Sequence, residues 1–390
     1  MKLKQFIFWA CLSSFIPSCN IDKWDLDDKS NTIIPNYSTT LNDVECSSDF
    51  KTNIYPMDND NFVTVIQKAN SFIKIIKLTQ KLNDNKWSID IQELSSIDGR
   101  TLHGFEKAGD FYFVLTSEND IFNITKVDKL LNVIDKFSLF KTYIDTSYNK
   151  IESVFFNGIS ADTTSGIYLY GHLSSFSKNY SCAMKMDLNL KPMFIKTYFE
   201  NDTIIDILPI DKDQYISVSQ NNAKLSLILD NATGKAYKKY DLTFNESFHS
   251  GQLHQASDKL FLTGNVHAGI AKAIEISLVQ NSAYISDVKT FEVLDMIGYS
   301  STKKSILMFG VNNNTNKSSF LTELNQRVYQ WCNTYNDKSY HRSLTMAEAN
   351  DVGLIYLYLV EDNNRFYLHM IRTDEEGATL DNPYDINCIQ

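Results

Sequence analysis

A chain of 390 residues with 43% hydrophobic, 13% aromatic and 22% charged residues can bury a large core, which excludes an intrinsically disordered protein. A formal net charge of −10 is opposite in sign to the basic footprint of a nucleic-acid-binding protein. No apolar stretch reaches the roughly 18 residues of a membrane-spanning helix, so a polytopic membrane protein is excluded as well.

The first 18 residues predict an export signal. Lys2 and Lys4 precede a 12-residue apolar segment, residues 5–16, which suits the core of a signal peptide and is too short to span a bilayer. Residues 16–19 read Ile-Pro-Ser-Cys, which resembles the lipobox of bacterial lipoproteins. The resemblance implies that the chain is cleaved before Cys19 and that the Cys19 thiol is acylated with fatty acids such as palmitate. An ordinary secretory signal, in which Cys19 has no role, is the alternative.

Residues 19–45 predict a polar linker between the lipid anchor and the folded domain. Its first part, residues 20–28, is rich in aspartate. An acidic run this close to the acylated cysteine resembles the surface-export signal of Bacteroidetes lipoproteins. That resemblance implies a location in the outer membrane with exposure at the cell surface, and a solvated tether is the alternative.

The rest of the chain repeats one pattern seven times. Each repeat begins with a short segment rich in β-branched and aromatic residues, which favours a β-strand over a helix. Successive segments start 45 to 56 residues apart, at Phe62, Phe111, Ile167, Tyr215, Leu260, Ile306 and Leu354. A second strand follows each segment after a polar turn. A third carries an aromatic residue in six of the repeats, namely Trp87, Phe137, Phe194, Tyr237, Tyr284 and Trp331.

A fourth strand must precede each of these segments, with candidates at residues 153–157, 204–208 and 292–296. Four strands repeated seven times predict an all-β fold, a seven-bladed β-propeller of four-stranded antiparallel blades over residues 46–390. A pair of β-sandwiches is the alternative, and the constant phase of the repeats favours the propeller.

The seventh repeat runs out early, because Pro383 cannot donate a hydrogen bond within a central strand. An N-terminal strand around residues 32–35 or 41–46 would complete this blade. That arrangement would bring Cys46 near Cys388, and it predicts a disulfide between them, with two free thiols as the alternative. Cys182 and Cys332 lie in strands of different repeats and are predicted to be buried free thiols.

Two segments resemble the blade ends of Bacteroidetes β-propeller lipoproteins, namely residues 191–198 and 328–335. This similarity covers most of residues 50–380 in pattern but few positions in identity. Residues 229–237 resemble one quinoprotein-type repeat. The resemblance implies a lipid-anchored propeller of the bacterial cell envelope.

The sequence nominates no catalytic residue, no cofactor and no metal ligand. His249, His254 and His267 lie in the fifth repeat, but a spacing of five residues along a strand sends the first two to opposite faces. Ordinary polar positions are therefore favoured over a metal site. Residues 58–61, Asp-Asn-Asp-Asn, lack the glycine and the distal glutamate of a calcium loop, and they predict a tight turn.

These features favour a monomeric binding or scaffolding module, anchored to the membrane by lipid, that presents a propeller face to a protein, peptide or glycan. A propeller enzyme, such as one that cleaves glycans, is one alternative. An outer-membrane assembly factor like the propeller lipoprotein of the barrel-assembly machinery is another. An enzyme predicts converging carboxylates or a metal at the channel, whereas a scaffold predicts an exposed apolar or aromatic patch.

Overall fold

The computed structural model divides the chain into two units, residues 1–34 and 35–390. It describes residues 37–373 apart from 71, 84–85, 140–150, 163, 176–177, 212–213, 232–236, 257–258, 280–281, 301–305, 313–317, 323–329, 335–338 and 351–352. The predicted export signal, Cys19, residues 32–35 and Cys388 lie outside these residues. Within them, no helix is long and apolar enough to cross a bilayer.

The described strands form seven antiparallel sheets of four strands each. In chain order the strands are β1 (Tyr37–Cys46), β2 (Ile54–Pro56), β3 (Asn61–Gln67), β4 (Ile73–Asn83), β5 (Lys86–Ile97), β6 (Thr101–Ala108), β7 (Phe111–Glu118), β8 (Ile121–Val127), β9 (Val133–Leu139), β10 (Ile151–Asp162), β11 (Gly166–Ser175), β12 (Lys178–Asp187), β13 (Pro192–Glu200), β14 (Thr203–Pro209), β15 (Gln214–Asn221), β16 (Lys224–Asn231), β17 (Lys238–Leu242), β18 (Ser250–Ala256), β19 (Lys259–His267), β20 (Ile270–Val279), β21 (Ser282–Phe291), β22 (Val293–Ser300), β23 (Ile306–Asn312), β24 (Ser318–Thr322), β25 (Gln330–Thr334), β26 (Ser339–Glu348), β27 (Leu354–Asp362) and β28 (Arg365–Arg372).

Consecutive strands form blades one to six, from β2–β5 to β22–β25, and the seventh blade has the order β1-β28-β27-β26. The fold is the seven-bladed β-propeller that the sequence predicts. All seven apolar segments identified in the sequence are the second strands of their blades. These strands are buried on both faces, as in β3 and β27, because each blade packs between two neighbours. Burial on both faces explains why they read as continuous apolar runs rather than alternating ones.

The hydrophobic core lies between the blades. Six clusters of buried side chains cover the seven junctions, and the largest joins blades seven, one and two. The outermost strands are far more exposed, and in β21 almost every residue is solvent-accessible. Each blade therefore depends on its neighbours to cover its faces, as the repeat architecture requires.

An N-terminal strand closes the ring. β1 pairs antiparallel with β28, with Tyr37 opposite Arg372 and Leu41 opposite Leu368. Leu41 and Val44 are buried in the core cluster shared by blades seven, one and two. A strand that includes residues 41–46 thus completes the seventh blade, as expected. The propeller begins at residue 37 and not at residue 46 as predicted, because the end of the predicted linker forms β1 and pairs with β28.

Hydrogen bonds between neighbouring blades add to this packing. Side-chain oxygens of one blade accept backbone N–H groups of the next, and most of these bonds lie near the central channel. Asp206 accepts from Leu253, Gln252 from Gly298, and Asp295 from Ser343, at 2.8, 3.0 and 2.9 Å. Such bonds satisfy buried backbone donors that no strand ladder can reach.

Each blade has four antiparallel strands, so the chain runs from one end of the ring to the other and back twice. After each blade it is therefore at the end where the blade began. Every innermost strand of blades one to seven, β2, β6, β10, β14, β18, β22 and β26, therefore begins at one end, which we call the upper end. Turns that follow the third strand of a blade, such as the one containing Leu130 between β8 and β9, lie at the opposite, lower end.

Candidate functional site in the central channel

The innermost strands of all seven blades line a cavity of about 310 Å³ in the central channel. Thr101, Thr203 and Ser250, which begin three of these strands, are exposed, whereas Ala108 and Ala256 at the other ends are buried. Residues 50–53, which precede β2 at the upper end, also line the cavity, and Lys51 among them is exposed, so we take the cavity to open toward the upper end. The cavity volume is at the lower end of the range typical of small-molecule sites.

Glu106 on β6 projects into this cavity. Its Oε1 accepts a hydrogen bond from Asn53 Nδ2 and its Oε2 accepts one from the Tyr55 hydroxyl, both at 2.8 Å. Desolvation, helped by the nearby Asp206, outweighs these two bonds and raises the pKa of the carboxyl group from 4.5 to about 8. Glu106 is therefore largely protonated, and uncharged, at neutral pH.

Asp206 on β14 is the second carboxyl group of the cavity. It accepts backbone hydrogen bonds from Ile207 and Leu253, each at 2.8 Å, and a third bond from the Tyr170 hydroxyl. Desolvation raises its pKa from 3.8 to about 6, and the three hydrogen bonds limit the rise. Because Leu253 belongs to β18, its hydrogen bond to Asp206 also holds β14 against β18.

Gly158 lets Tyr170 reach the channel from the second strand of blade three. The two residues are directly opposite each other on β10 and β11. A Cβ atom at position 158 would lie 2.4 Å from the Tyr170 hydroxyl oxygen, a distance that real Cβ contacts essentially never show. The missing side chain therefore opens the gap through which the phenol contacts Asp206.

Basic side chains stand around the same cavity. Arg342 forms an ion pair with Asp49. Lys51, which is exposed, donates from Nζ to the backbone oxygen of Asn157 at 3.2 Å. The ring of His103 is hydrogen-bonded to the Ser117 hydroxyl at 2.8 Å. Desolvation lowers the pKa of His103 to about 4, so this ring is neutral at physiological pH.

The three histidines of the fifth repeat do not form one cluster. His254 lines the channel and is hydrogen-bonded to Thr263 at 3.0 Å, and burial lowers its pKa to about 4. The rings of His249 and His267 lie 6.4 Å apart, near Glu246. Among the described residues, no three His, Cys, Asp or Glu side chains are placed to hold a metal ion.

Other residues singled out in the sequence have structural surroundings. Asp58 Oδ1 accepts the backbone N–H groups of Asp60 and Asn61 at 2.9 and 2.8 Å, which is the predicted tight turn. Cys182 is a buried free thiol, and burial raises its pKa to about 12. Cys46 is also a buried thiol at the end of β1, and its pairing with Cys388 stays a prediction because Cys388 is not described.

The channel residues were missed by motif reasoning. Glu106, Asp206 and Tyr55 belong to three different blades, and no local motif marks them. The available signal was a polar or ionisable residue within the first strand of a repeat, a position that faces the channel once the blades are arranged in a ring.

Exposed hydrophobic side chains are spread over several blades. The highest concentration is on the outer edge of blade five, with Leu278, Val279, Tyr284 and Val288 each 39–51% exposed. A single exposed residue needs no partner, but a group of four on one edge is the kind of feature expected of a scaffold.

Neither a model of a known family nor a curated protein matches the sequence. Among solved structures, the chain is similar to a candidate 6-phosphogluconolactonase from Bacteroides fragilis, with 8% identity, a TM-score of 0.50, and 91% of this chain and 98% of that chain covered. It is also similar to the AfRom2 CNH domain, at 11% identity and a TM-score of 0.49, with 86% and 99% covered. A third is lmo1340 of Listeria monocytogenes, at 10% identity and a TM-score of 0.47, with 83% and 92% covered.

At such identities a structural likeness shows the fold alone. The Bacteroides fragilis structure supports the β-propeller architecture, and it agrees with the expected resemblance to Bacteroidetes propellers at the level of the fold.

Proposed function

We propose that this chain is a lipid-anchored binding module of the bacterial cell envelope, which takes part of a protein, peptide or glycan partner into the upper end of its channel. The channel cavity carries this proposal: seven blades converge on it, and it holds hydrogen-bonding side chains such as Tyr55, Glu106 and Tyr170. Convergent polar groups in a preformed cavity are typical of ligand sites.

The anchor part of the proposal rests on the N-terminal sequence. Replacing Cys19 with Ala is expected to abolish incorporation of a clickable fatty acid and to release the protein from membranes on fractionation. Ser18→Ala keeps a small residue before the cysteine and serves as the control that should remain labelled. Unchanged membrane retention of the Cys19→Ala protein would contradict the anchor.

The binding part can be tested by affinity capture from the native envelope with the full chain as bait. A partner that occupies the channel should be lost when the cavity is filled, for example by Ser160→Trp, and kept when the blade-five edge is changed by Val288→Ser. Both residues are in described strands, and only Ser160 lines the channel. Loss of the captured partner with Val288→Ser alone would show that the binding site is on the outer edge of blade five.

An enzyme is the second candidate, because two carboxyl groups with raised pKa values converge in the cavity. Perturbed titratable groups in a cleft are a recognised sign of acid–base chemistry. Glu106, protonated at neutral pH, could donate a proton to the leaving group of a glycan, and Asp206 could accept one. Release of reducing ends from envelope glycans by the wild type, and none by a Glu106→Gln variant, would favour the enzyme.

A further inference from the structure

The charged side chains around the channel cavity are already balanced by groups of the protein. Arg342 is paired with Asp49, and Lys51 lies close enough to Asp206 to interact with it electrostatically. Asp206 itself accepts from two backbone N–H groups and from Tyr170. Asp295 accepts from Ser343 N at 2.9 Å and from Asn265.

This balance argues against a charged ligand. A phosphate or sulfate group is normally bound by cations or by several convergent N–H donors. The guanidinium group of Arg342 would first have to give up Asp49. An ammonium group would need an ionised carboxylate with spare acceptor capacity. Asp206 already accepts from two backbone N–H groups and from Tyr170, and Asp295 already accepts from Ser343 N and from the Asn265 side chain, so each has only part of its acceptor capacity left.

Glu106 offers the opposite chemistry, an uncharged carboxyl group. A protonated carboxyl group donates one hydrogen bond and accepts others. Asn53 and Tyr55 donate to its two oxygens, so its own proton needs an acceptor oxygen. The ionisable groups that face it from other strands are Tyr55 on β2, Tyr170 on β11 and Asp206 on β14. A sugar hydroxyl donates and accepts at once, which suits this mixture of phenol, amide and carboxyl groups.

Building on the proposed binding function, we infer that the channel cavity takes one uncharged sugar residue of a glycan, and that the carboxyl group of Glu106 hydrogen-bonds to its hydroxyl groups. The cavity of about 310 Å³ has room for a single pyranose ring. A branch or chain end of a larger glycan would continue out of the upper end.

The test uses the labelled full chain on an array of neutral, phosphorylated, sulfated, sialylated and amine-bearing glycans, followed by calorimetry with the best binder. Wild type is expected to select neutral glycans. Glu106→Gln keeps an uncharged group of the same shape, so its affinity should stay within about threefold at pH 7. Glu106→Ala should bind at least tenfold more weakly. Glu93→Gln, on a surface residue paired with Lys68, is the matched control and should bind like wild type.

A pH series separates a binding role from a merely structural one. Wild-type affinity for the neutral glycan should change as the pH rises past about 8, where Glu106 ionises, whereas the Glu106→Gln variant should bind equally from pH 7 to 9, above the range in which Asp206 titrates. Selection of anionic or cationic glycans, no glycan binding, or equal losses in Glu106→Gln and Glu106→Ala would each overturn the inference. A peptide captured in the channel would overturn the inference of a sugar ligand but would agree with the proposed binding module.

Discussion

At the residue scale, the channel concentrates groups whose ionisation is suppressed. Glu106 and Asp206 hold their protons to higher pH than usual, and His103 and His254 lose theirs at lower pH than usual. All four shifts have desolvation as their first cause. The ring thus creates a hydrogen-bonding interior with little net charge inside a chain whose formal charge is −10.

Glu106 should make the protein less stable as the pH rises. Its pKa is raised from 4.5 to about 8 on folding, so above pH 4.5 the unfolded chain gives up a proton that the folded chain keeps. The free energy of unfolding therefore falls until about pH 8, by up to about 1.4 kcal/mol per pH unit. Asp206 lowers the free energy of unfolding in the same direction, but only up to about pH 6. The histidines with lowered pKa values act in the opposite direction, because they destabilise the folded chain as the pH falls below 6.5.

Urea unfolding between pH 7 and 8, compared between wild type and Glu106→Gln, tests this contribution. The wild type should lose stability across that window, and Glu106→Gln should lose measurably less because the amide cannot ionise. The same slope in both proteins would show that Glu106 does not keep its proton in the folded chain.

Gly158→Ala should destabilise the protein by about 1–3 kcal/mol, because the new Cβ would collide with the Tyr170 ring and hydroxyl. In a Tyr170→Leu background the colliding atoms are gone, so the same substitution should cost less. A double-mutant cycle measured by thermal unfolding gives the coupling between the two positions. Additive effects would mean that Tyr170 does not pass through the gap at Gly158.

At the element scale, the second strands and the order of strands within a blade could be predicted because they depend on local patterns. Continuous apolar runs such as β27 mark strands buried on both faces. The extent of β1 was harder to predict, because residues 37–40 read as polar linker and become a strand only through pairing with β28. Tertiary pairing decided that boundary.

Leu41 should be essential to ring closure. It is 5% exposed and packs in the cluster that joins blades seven, one and two. Leu41→Ala is expected to lower the free energy of unfolding by about 2–4 kcal/mol. Glu45→Gln, on the same strand and in contact with Arg365 at the surface, should change it by less than about 0.5 kcal/mol. Equal effects in urea titrations would indicate that β1 is not anchored through its apolar face.

The predicted disulfide between Cys46 and Cys388 would fasten the same strand. In the chain-entropy model a covalent loop of this length adds several kcal/mol. Non-reducing peptide mapping of exported protein should find the two residues in one linked peptide. Recovery of both as alkylated free thiols would reject the bond.

At the scale of the whole molecule, the repeat period predicted the number of blades. Each blade has two apolar faces, and similar blades arranged in a ring cover one another's faces. The channel site could not be predicted in the same way. Glu106 and Asp206 belong to blades two and four, and only the closed ring brings their side chains into one cavity. A motif search compares residues that are close in sequence, whereas this site is formed by residues of different blades that meet in the central channel.

Cooperativity across the ring follows from cores that lie between blades. Deleting residues 306–353 removes one repeat and leaves six blades on a curvature set for seven. We expect the entire chain to lose its cooperative thermal transition, as measured by circular dichroism. A deletion protein that melts at the wild-type temperature would contradict the interdependence of the blades.

Site-specific photo-crosslinking in the native envelope shows whether the upper or the lower end of the channel is the binding face. A crosslinking amino acid is placed at Lys51, exposed at the channel mouth, and separately at Leu130, which is 74% exposed at the lower end. We expect a discrete crosslinked product at position 51 that weakens when Glu106→Ala is added, and none at position 130. A product at position 130 alone, or one at position 51 that Glu106→Ala leaves unchanged, would contradict it.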